Sequence, residues 1–244
     1  MHLNKLYIRR VLLSGCLISV CILGFLYWAS SDIDSGVYMN CLCHGSDTKR
    51  CVTLTFDDGP NEEMTPKILD ILKHHNLKAT FFLIGNNASR YPELVTRIID
   101  EGHIIGNHSW NHSCTFPLQS SEDIYSELSK CDSLIYSITG KRMSLFRPPF
   151  GVTNPLIADA ISETDYTCIG WSVRSLDTDE DTPRQDILNR VLRRLHNGAI
   201  ILLHDRCKGA DELLQMLIEE IKAQNYGIIN IDEMLDIDPY KMDI

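Results

Sequence analysis

The 244-residue sequence has little positive charge, with 23 lysines and arginines against 33 aspartates and glutamates and a formal net charge of −10. No stretch of basic residues suits a nucleic-acid backbone, so we expect no nucleic-acid partner. The same balance disfavours tight binding of anionic polymers, although a local pocket can differ from the average. The length and the hydrophobic content of 44% agree with one globular domain that has a large core.

The N-terminal region lacks charge over Val11–Ala29, which is 19 residues long. As a helix this run measures about 28 Å, close to the hydrocarbon thickness of a bilayer. Lys5, Arg9 and Arg10 precede it, and the positive-inside tendency places the N-terminus in the cytoplasm and the rest of the chain outside. We therefore predict a single-pass membrane anchor with an extracytoplasmic domain.

The region also lacks the small residues of a signal-peptidase site, because Tyr27 and Trp28 stand where an Ala-x-Ala pattern is expected. Cleavage is the second interpretation of the segment, and retention is favoured over it. A third is a lipoprotein signal at Leu13-Ser14-Gly15-Cys16, but two apolar residues are too few between it and Arg10. The predicted divisions are an anchor over residues 1–30, a linker over residues 31–50 and a globular domain over residues 51–244.

The cysteines lack the pattern of a structural zinc site. Cys41-Leu42-Cys43 has a spacing of one residue, and with Cys51 the set still has no fourth partner. A disulfide of the linker or free thiols are therefore favoured over a metal clip. Seven of the nine cysteines lie beyond the apolar run, so at least one thiol is unpaired in a monomer, and the connectivity stays open.

Strand-like and helix-like segments alternate along the chain. Helical periodicity follows Thr65-Pro66 and recurs from Ile124 to Ile138 before Gly140. This alternation predicts an α/β fold with a parallel sheet and crossover helices. Seven runs fit strands: Val52–Phe56, Ala79–Ile84, His103–Ile105, Leu145–Phe146, Tyr166–Gly170, Ala199–Leu203 and Ile228–Ile231.

Two polar motifs follow two of these strands. Asp57 and Asp58 lie in Thr55-Phe56-Asp57-Asp58-Gly59-Pro60, and His108 and His112 lie in Asn107-His108-Ser109-Trp110-Asn111-His112. In a helix or a helix-like turn, residues four apart share a face, so both imidazoles can bind one ion. With Asp58 they form a two-His-one-carboxylate set, which leaves coordination positions open for catalysis. Asp57 then remains available for proton transfer.

Three further motifs follow in order: Phe146-Arg147-Pro148-Pro149-Phe150-Gly151, then Gly170-Trp171-Ser172-Val173-Arg174-Ser175-Leu176-Asp177-Thr178, then Ile200-Ile201-Leu202-Leu203-His204-Asp205. Taken with the first two, these residues resemble the polysaccharide deacetylase family, also called the NodB-homology fold or carbohydrate esterase family four. The resemblance extends from about Cys51 to Asp236. It implies an irregular (β/α)7 barrel, here preceded by the N-terminal transmembrane helix.

The resemblance implies a role for each motif residue. Asp58, His108 and His112 would bind a divalent metal, usually Zn²⁺, although Co²⁺ or another divalent ion could serve. Asp57 would act as the general base, and Arg147 would hold its carboxylate in position.

The other side of the site is implied in the same way. His204 would protonate the departing amine, and its neighbour Leu203 would support the site or bind substrate. Pro149 and Phe150 would help to form the sugar groove, and a backbone N–H near Phe150 would stabilise the oxyanion. Trp171 could stack on a sugar ring or merely fill the barrel.

These residue types suit the hydrolysis of an acetamide. A divalent ion lowers the pKa of the water that it binds, so a nucleophile is available at neutral pH. Asp57 needs only to accept a proton, and backbone donors meet the charge that develops on the carbonyl oxygen. The amine leaves only when it is protonated, and an imidazole such as His204 has a suitable pKa.

One motif departs from the family pattern. Arg174 stands where an Asp usually orients the histidine acid, and Thr178 replaces the closing Trp. A cation beside His204 would lower the pKa of the imidazole, whereas a carboxylate would raise it. Four alternatives remain open: Asp177 orients His204, Asp205 orients it, Arg174 faces the substrate, or Arg174 points to solvent.

The sequence thus predicts a membrane-anchored, metal-dependent hydrolase that removes N-acetyl groups from amino sugars of an envelope or extracellular polysaccharide. Its partners would be an N-acetylated polysaccharide or oligosaccharide, chitin-like or derived from peptidoglycan, and the membrane. The alternatives are an O-deacetylase of acetylated polysaccharide and a carbohydrate-binding pseudoenzyme. The oligomeric state stays open.

Overall fold

The structure is a computed structural model that describes residues 2–179 and 181–241. This part of the chain contains nine α-helices: α1 (His2–Ser31), α2 (Met64–His74), α3 (Gly85–Arg90), α4 (Pro92–Asp100), α5 (Ser121–Thr139), α6 (Pro155–Ser162), α7 (Arg184–Arg193), α8 (Ala210–Ala223) and α9 (Ile231–Leu235). It also contains ten strands: β1 (Cys51–Asp57), β2 (Thr80–Leu83), β3 (Ile104–Asn107), β4 (Arg142–Met143), β5 (Leu145–Phe146), β6 (Thr167–Cys168), β7 (Val173–Arg174), β8 (Ala199–His204), β9 (Gly227–Ile228) and β10 (Tyr240–Lys241).

Eight of the strands form one parallel sheet in the order β6-β5-β3-β2-β1-β8-β7, with β9 paired to the start of β1. The sheet is curled into a half-barrel, which confirms the predicted α/β fold class. The central strands β1 and β8 pair along their whole length and place Asp57 directly beside His204. The first and last motifs of the sequence therefore meet at the carboxyl ends of neighbouring strands, where sites of parallel barrels lie.

The side chains of β1 alternate between two environments, as the pleat of a strand requires. Val52, Leu54 and Phe56 belong to the main apolar cluster, which they share with buried residues of α2 and α8. Thr55 and Asp57 lie on the opposite face, where both accept hydrogen bonds from the buried Arg147. The apolar face thus fixes the strand against the helices, and the polar face carries the chemistry.

Helix α5 shows how the local sequence sets the boundaries of an element. Ser120 accepts a hydrogen bond from the backbone N–H of Asp123 and caps the N-terminus of the helix. Gly140 ends it with φ of 69°, in the left-handed region that glycine adopts without steric cost. This helix lies where the periodicity from Ile124 to Ile138 predicted one.

Two strand predictions need correction. The run predicted as Ile228–Ile231 ends as a strand at Ile228, because Ile231 begins α9 and packs inside the curled sheet. Strand β7 was not predicted, since Val173–Arg174 joins one apolar residue to a charged one. Its pairing with β8 becomes visible only in the fold, where Arg174 lies beside Leu202.

The N-terminal helix and the segment that follows it differ in burial. Tyr7–Ser31 is long and apolar enough to cross a membrane, and its side chains are exposed up to Trp28. Ala29 is already buried, and the carbonyl of Ser30 accepts a hydrogen bond from the backbone N–H of Thr153. The helix therefore ends in direct contact with the globular part of the chain.

The segment predicted as a spacer, residues 31–50, packs against the sheet. Leu42 pairs in parallel with Ile169 just after β6, and His44 pairs with Ala199 at the start of β8. Cys41 forms a disulfide with Cys168 of β6, so the bridge joins the segment to the barrel and does not lie within the segment. This stretch of chain therefore connects the end of β6 with the start of β8, two strands that are not neighbours in the sheet.

Candidate active site

The two neighbouring carboxylates follow different paths at the end of β1. Asp57 is the last residue of the strand, whereas Asp58 has φ of 76° and turns the chain out of it. The Asn87 side chain donates a hydrogen bond of 2.8 Å to the carbonyl of Asp58 and holds this turn. The turn lets two adjacent carboxylates enter one cavity from different directions.

The two histidines lie in a loop after β3, so the predicted helix or helix-like turn is wrong. Ser109 and His112 have φ of 67° and 50°, values that no α-helix contains. The backbone N–H groups of Trp110 and Asn111 both donate to a carboxylate oxygen of Glu127, and that of His112 donates to the Ser109 hydroxyl. Side-chain hydrogen bonds therefore shape the loop in place of helical ones.

The predicted ligand set does come together. Nε2 of His108 and Nε2 of His112 lie 3.5 Å and 3.4 Å from Oδ1 of Asp58, and the three candidate ligand atoms lie within 4.8 Å of one another. Oδ1 of Asp58 is buried and has no hydrogen-bond partner among the described residues. Such an atom costs free energy unless something compensates it. Two imidazoles and this carboxylate therefore fit a divalent cation.

Hydrogen bonding and burial prepare the imidazoles for this role. Nδ1 of His108 lies 2.8 Å from the carbonyl of Arg147, so it carries the proton and leaves Nε2 as the ligand atom. Burial and the neighbouring His108 lower the pKa of His112 to about 4, so His112 is neutral at pH 7. Burial raises the pKa of Asp58, but the close approach of His108 and His112 outweighs it and lowers the pKa overall. A neutral His112 and an ionised Asp58 are the forms that a metal ligand requires.

Arg147 lies beneath the site and is completely buried. Its Nη1 donates to Oδ1 of Asp57 at 2.7 Å and to the Thr55 hydroxyl at 2.8 Å. Its Nε and Nη2 donate to the carbonyls of Ile169 and Gly170 at 3.1 Å and 2.8 Å. Because four acceptors fix the guanidinium, Oδ1 of Asp57 is fixed as well. The second carboxylate oxygen of Asp57, Oδ2, makes no hydrogen bond to Arg147.

Asp177 is the carboxylate that contacts His204. Its Oδ1 lies 2.7 Å from Nδ1 of His204, and its Oδ2 accepts from the backbone N–H of the same residue at 2.8 Å. Asp205 instead accepts from the Thr65 hydroxyl at 2.6 Å. Of the two carboxylates considered from the sequence, Asp177 is therefore the one placed to orient the imidazole.

The environment of His204 favours its protonated form. Burial lowers the pKa of the imidazole, but the hydrogen bond to Asp177 and the charge of Asp177 raise it more, so the pKa is raised overall. Nε2 of His204 is left free to face the cavity, since Nδ1 is engaged. The group can donate a proton from Nε2 while Asp177 stabilises the positive ring.

The three candidate ligands, Asp57 and His204 open into one small cavity of about 160 Å³. Phe150 stands at its edge, 47% exposed, with its ring centre 4.5 Å from that of His112. Trp171 forms a wall and packs against Gly151, where any Cβ would collide with the indole. The cavity is lined by Asp57, Asp58, His108, His112, Phe150, Gly151, Trp171, Arg174, Thr178, Leu202, His204 and Arg206.

Two residues predicted to support the site do not line this cavity. Leu203 belongs to the outer apolar cluster, because alternation along β8 turns it toward the helices and brings Leu202 into the cavity. Pro149 is buried in a short 3-10 turn and does not border the cavity. Its neighbour Phe150, with φ of 62°, reaches the cavity edge instead.

Sequence reasoning missed Arg206. Its Nε donates to Oδ2 of Asp58 at 2.7 Å, and its side chain is half exposed. The signal was its position directly after the His204-Asp205 pair, but a single arginine in a loop does not show which carboxylate it will contact. Arg206 occupies the outer oxygen of Asp58 and leaves Oδ1 for a cation.

The chain matches the family model described as polysaccharide deacetylase over residues 44–169. It is 37% identical over 189 residues to the peptidoglycan-N-acetylglucosamine deacetylase PgdA of Listeria monocytogenes, a match that covers 77% of this chain and 39% of that protein. The chain therefore spans well under half the length of that relative. It is 33% identical over 212 residues to the peptidoglycan-N-acetylmuramic acid deacetylase PdaA of Bacillus subtilis, covering 83% of this chain and 80% of PdaA.

A solved structure shows the same fold. The crystal structure of the Bc1960 peptidoglycan N-acetylglucosamine deacetylase superposes with a TM-score of 0.75 at 33% sequence identity. The superposition covers 82% of this chain and 94% of that one. The half-barrel described above is therefore shared nearly in full with this structure.

Proposed function

Because the chain belongs to the polysaccharide deacetylase family, we propose that it is a metal-dependent hydrolase that removes acetyl groups from N-acetylated amino sugars of a cell-wall polysaccharide. The observation that carries this proposal is the convergence of Asp58, His108 and His112 within 4.8 Å, with Asp57 and His204 beside them in one cavity. A ligand set, a carboxylate base and an imidazole acid are the groups that amide hydrolysis needs.

Asp58, His108 and His112 would hold the cation, and two imidazoles with one carboxylate favour Zn²⁺, with Co²⁺ as an alternative. A bound divalent ion would lower the pKa of a water molecule and polarise the carbonyl of the acetamide. The second hydrogen bond of His108, to the carbonyl of Arg147, keeps the ligand nitrogen pointed at the ion.

Asp57 would accept the proton of the attacking water. Arg147 binds Oδ1, so the proton goes to Oδ2, which lies 3.8 Å from Nε2 of His108 and therefore on the side of the ligand set. The buried guanidinium also keeps Asp57 oriented before the substrate arrives. The family resemblance implies that a backbone N–H near Phe150 would stabilise the oxyanion. The ring of Phe150 lies beside His112, at the edge of the same cavity.

His204 would give its proton to the nitrogen of the leaving sugar amine. Asp177 holds Nδ1, so the proton is donated from Nε2, which faces the cavity. This arrangement favours an amide over an ester as the substrate, because an amine leaves only when protonated whereas an alkoxide departs more easily. We therefore place N-deacetylation ahead of O-deacetylation.

The cavity indicates how a polymer would bind. A volume of about 160 Å³ is far below the roughly 300–1,000 Å³ of sites that enclose a whole ligand. The acetyl group would enter the cavity while the sugar chain lies across its rim against Phe150 and Trp171. With α1 as a membrane anchor, we propose that the domain acts on the extracytoplasmic side, on peptidoglycan or a chitin-like oligosaccharide.

The test is acetate release by the detergent-solubilised full chain from peptidoglycan fragments and chito-oligosaccharides. We expect release that a chelator abolishes and Zn²⁺ restores, and loss of both bound zinc and release in Asp58→Asn. Ester substrates run in parallel separate O-deacetylation from N-deacetylation. Release that survives the chelator and the Asp58→Asn change, or acetate from esters alone, would contradict the proposal.

A further inference from the structure

The carboxylates deep in the cavity already have cationic partners. Asp57 is bound by Arg147 at 2.7 Å, and Asp58 is bound by Arg206 at 2.7 Å. Both carboxylates are at least 90% buried, so these contacts are shielded from solvent. Neither one needs, or can easily attract, a further guanidinium.

The carboxylate of Asp177, the partner of His204, is also fully engaged in hydrogen bonds. Asp177 binds the ring and the backbone N–H of His204, and it accepts a third hydrogen bond from the hydroxyl of Ser175. Position 174 therefore takes no part in orienting His204. That position carries Arg174, whose charge is opposite to that of the usual Asp.

Arg174 borders the cavity without a partner of its own. Its side chain is exposed, and no carboxylate lies within 4.0 Å of its guanidinium among residues 7–179 and 181–241. The guanidinium carbon is 5.8 Å from the centre of the Trp171 ring, the ring that forms one wall. Strand β7 holds the backbone of Arg174 against Leu202, so the side chain starts from a fixed point at the rim.

Thr178 lies at the same rim and is also exposed. The family pattern has a Trp at this position, and a threonine leaves the space of the indole open. The two departures from the pattern thus coincide at one place: Thr178 gives room, and Arg174 gives a positive charge.

From this juxtaposition we propose that Arg174 binds a carboxylate on the substrate, so that the preferred glycan carries a free acid on or next to the acetylated sugar. The inference rests on the proposed function. A guanidinium binds a carboxylate through two parallel hydrogen bonds, with a directionality that an ammonium lacks. Because the chain as a whole is strongly acidic, such a substrate would be attracted at this rim and not by the general surface.

N-acetylmuramic acid fits this chemistry. Its lactyl group, which carries the carboxylate, is attached through the oxygen O3 on C3. This carbon is adjacent to C2, the carbon that bears the acetamido group. With the acetyl group in the cavity, the acid would project toward the rim where Arg174 and Thr178 lie. A hexuronic acid next to an N-acetylated sugar offers the same group from a different position, so both sources enter the test.

The experiment compares matched saccharides on the full chain in detergent. One is a muramic-acid-containing oligosaccharide with a free lactyl carboxylate, and another is the same molecule with that carboxylate converted to its primary amide. A chito-oligosaccharide and an N-acetylated glycan with a neighbouring hexuronic acid complete the set. Acetate release gives kcat and KM, and calorimetric binding of each saccharide gives Kd.

Arg174→Gln is the informative variant, and Arg193→Gln is its control, because Arg193 is exposed on α7 away from the cavity and its replacement removes the same charge. We expect Arg174→Gln to weaken binding and raise KM about tenfold for the acidic saccharide, a change of about 1.4 kcal/mol. The amidated saccharide should change less than about twofold. Arg174→Lys should recover part of the loss, and high salt should reduce the difference.

The inference is overturned if Arg174→Gln affects the acidic and amidated saccharides equally, or if Arg193→Gln has the same effect as Arg174→Gln. The two acidic substrates then show whether the carboxylate is recognised on the acetylated sugar or on its neighbour. If the wild type binds saccharides but releases no acetate from any of them, the proposed function fails, and the binding constants still decide the role of Arg174.

Discussion

The two sides of the cavity are built in different ways. On one side, Asp57 is held by Arg147, whose side chain is 0% exposed and has four hydrogen-bond acceptors. On the other side, His204 is 15% exposed and sits beside the exposed rim that carries Arg174 and Thr178. The buried side depends on the packing of the whole sheet, whereas the rim depends on a few local contacts.

This difference explains where the chain keeps the family pattern and where it departs from it. A buried guanidinium can be replaced only if all of its partners change together, because any unpaired group left in the interior is costly. At the rim, Asp177 orients His204, and Arg174 three residues earlier makes no hydrogen bond to the imidazole. The charge at position 174 can therefore differ from the family pattern while His204 keeps its carboxylate.

The largest effect should come from the buried side. Arg147→Met leaves Asp57 as an unpaired charge in the interior, and we expect a loss of about 3–5 kcal/mol in the free energy of unfolding together with the loss of acetate release. Urea denaturation of the full chain measures the first, and a deacetylation assay measures the second. Arg142→Met, which breaks a partly exposed ion pair with Asp132, is the control and should cost about 1 kcal/mol or less.

A small effect of Arg147→Met on stability would break the comparison. It would mean that water reaches Asp57 and that this side is no more dependent on packing than the rim.

The next largest effect should come from changing Asp177, the carboxylate that contacts His204. Asp177→Asn should lower kcat by about 10- to 100-fold with little change in KM, because the imidazole loses its orientation and its stabilising charge. Asp177 raises the pKa of His204, and activity that needs protonated His204 is lost as the pH rises through this pKa. In Asp177→Asn the pKa falls, so the decline at high pH should begin at a lower pH.

Asp205→Asn is the matched control, since Asp205 contacts Thr65 and makes no hydrogen bond to His204. It should leave the high-pH decline of kcat where it is in the wild type. A decline that moves in Asp205→Asn and stays fixed in Asp177→Asn would reverse the assignment of the two carboxylates.

The smallest effect on turnover should come from the disulfide that joins the N-terminal segment to the sheet. Cys41 and Cys168 hold the end of β6, and the next two carbonyls, of Ile169 and Gly170, accept hydrogen bonds from Arg147. Replacing both cysteines by serine should lower kcat less than about tenfold while stability falls by about 2–4 kcal/mol.

The control is Cys114→Ser, which removes an exposed free thiol that takes no part in the disulfide. Thermal denaturation under non-reducing conditions, combined with the deacetylation assay, compares the two variants. If the double serine variant loses turnover as completely as Arg147→Met, the disulfide belongs to the buried side of the comparison and not to its periphery.

The fold class and most of the strands could be predicted because their signals are local. Runs such as Val52–Phe56 and Ala199–Leu203 are continuous and apolar, as buried parallel strands are, and they lie where β1 and β8 lie. Strand β7 escaped prediction because it joins one apolar residue to a charged one, whereas the equally short β5 has two apolar residues. The loop of His108 and His112 was mistaken for a helical turn because spacing alone does not show that Glu127 binds its backbone.

The family motifs reached the main residues of the candidate site and the Arg147–Asp57 contact, but they did not decide every partner. Asp58, His108 and His112 were grouped correctly in space from the order of the motifs. The contacts of Arg206 with Asp58 and of Asp177 with His204 join residues 148 and 27 positions apart in sequence. Leu203 was predicted to support the site, but its neighbour Leu202 lines the cavity, because the motif does not state which of two adjacent leucines faces it.

The amino-acid sequence by itself determined the residue types of the site, the strands that carry them and the apolar N-terminal segment, since propensity, hydrophobic period and motif order act over short distances. Only the tertiary structure decided which carboxylate serves His204, where residues 31–50 pack and which cations at the cavity remain unpaired. These outcomes depend on how the sheet curls, because the curl brings β1, β7 and β8 together and sets which polar groups share a buried space. An interaction between such distant residues is decided by three-dimensional packing and electrostatics, which no local pattern encodes.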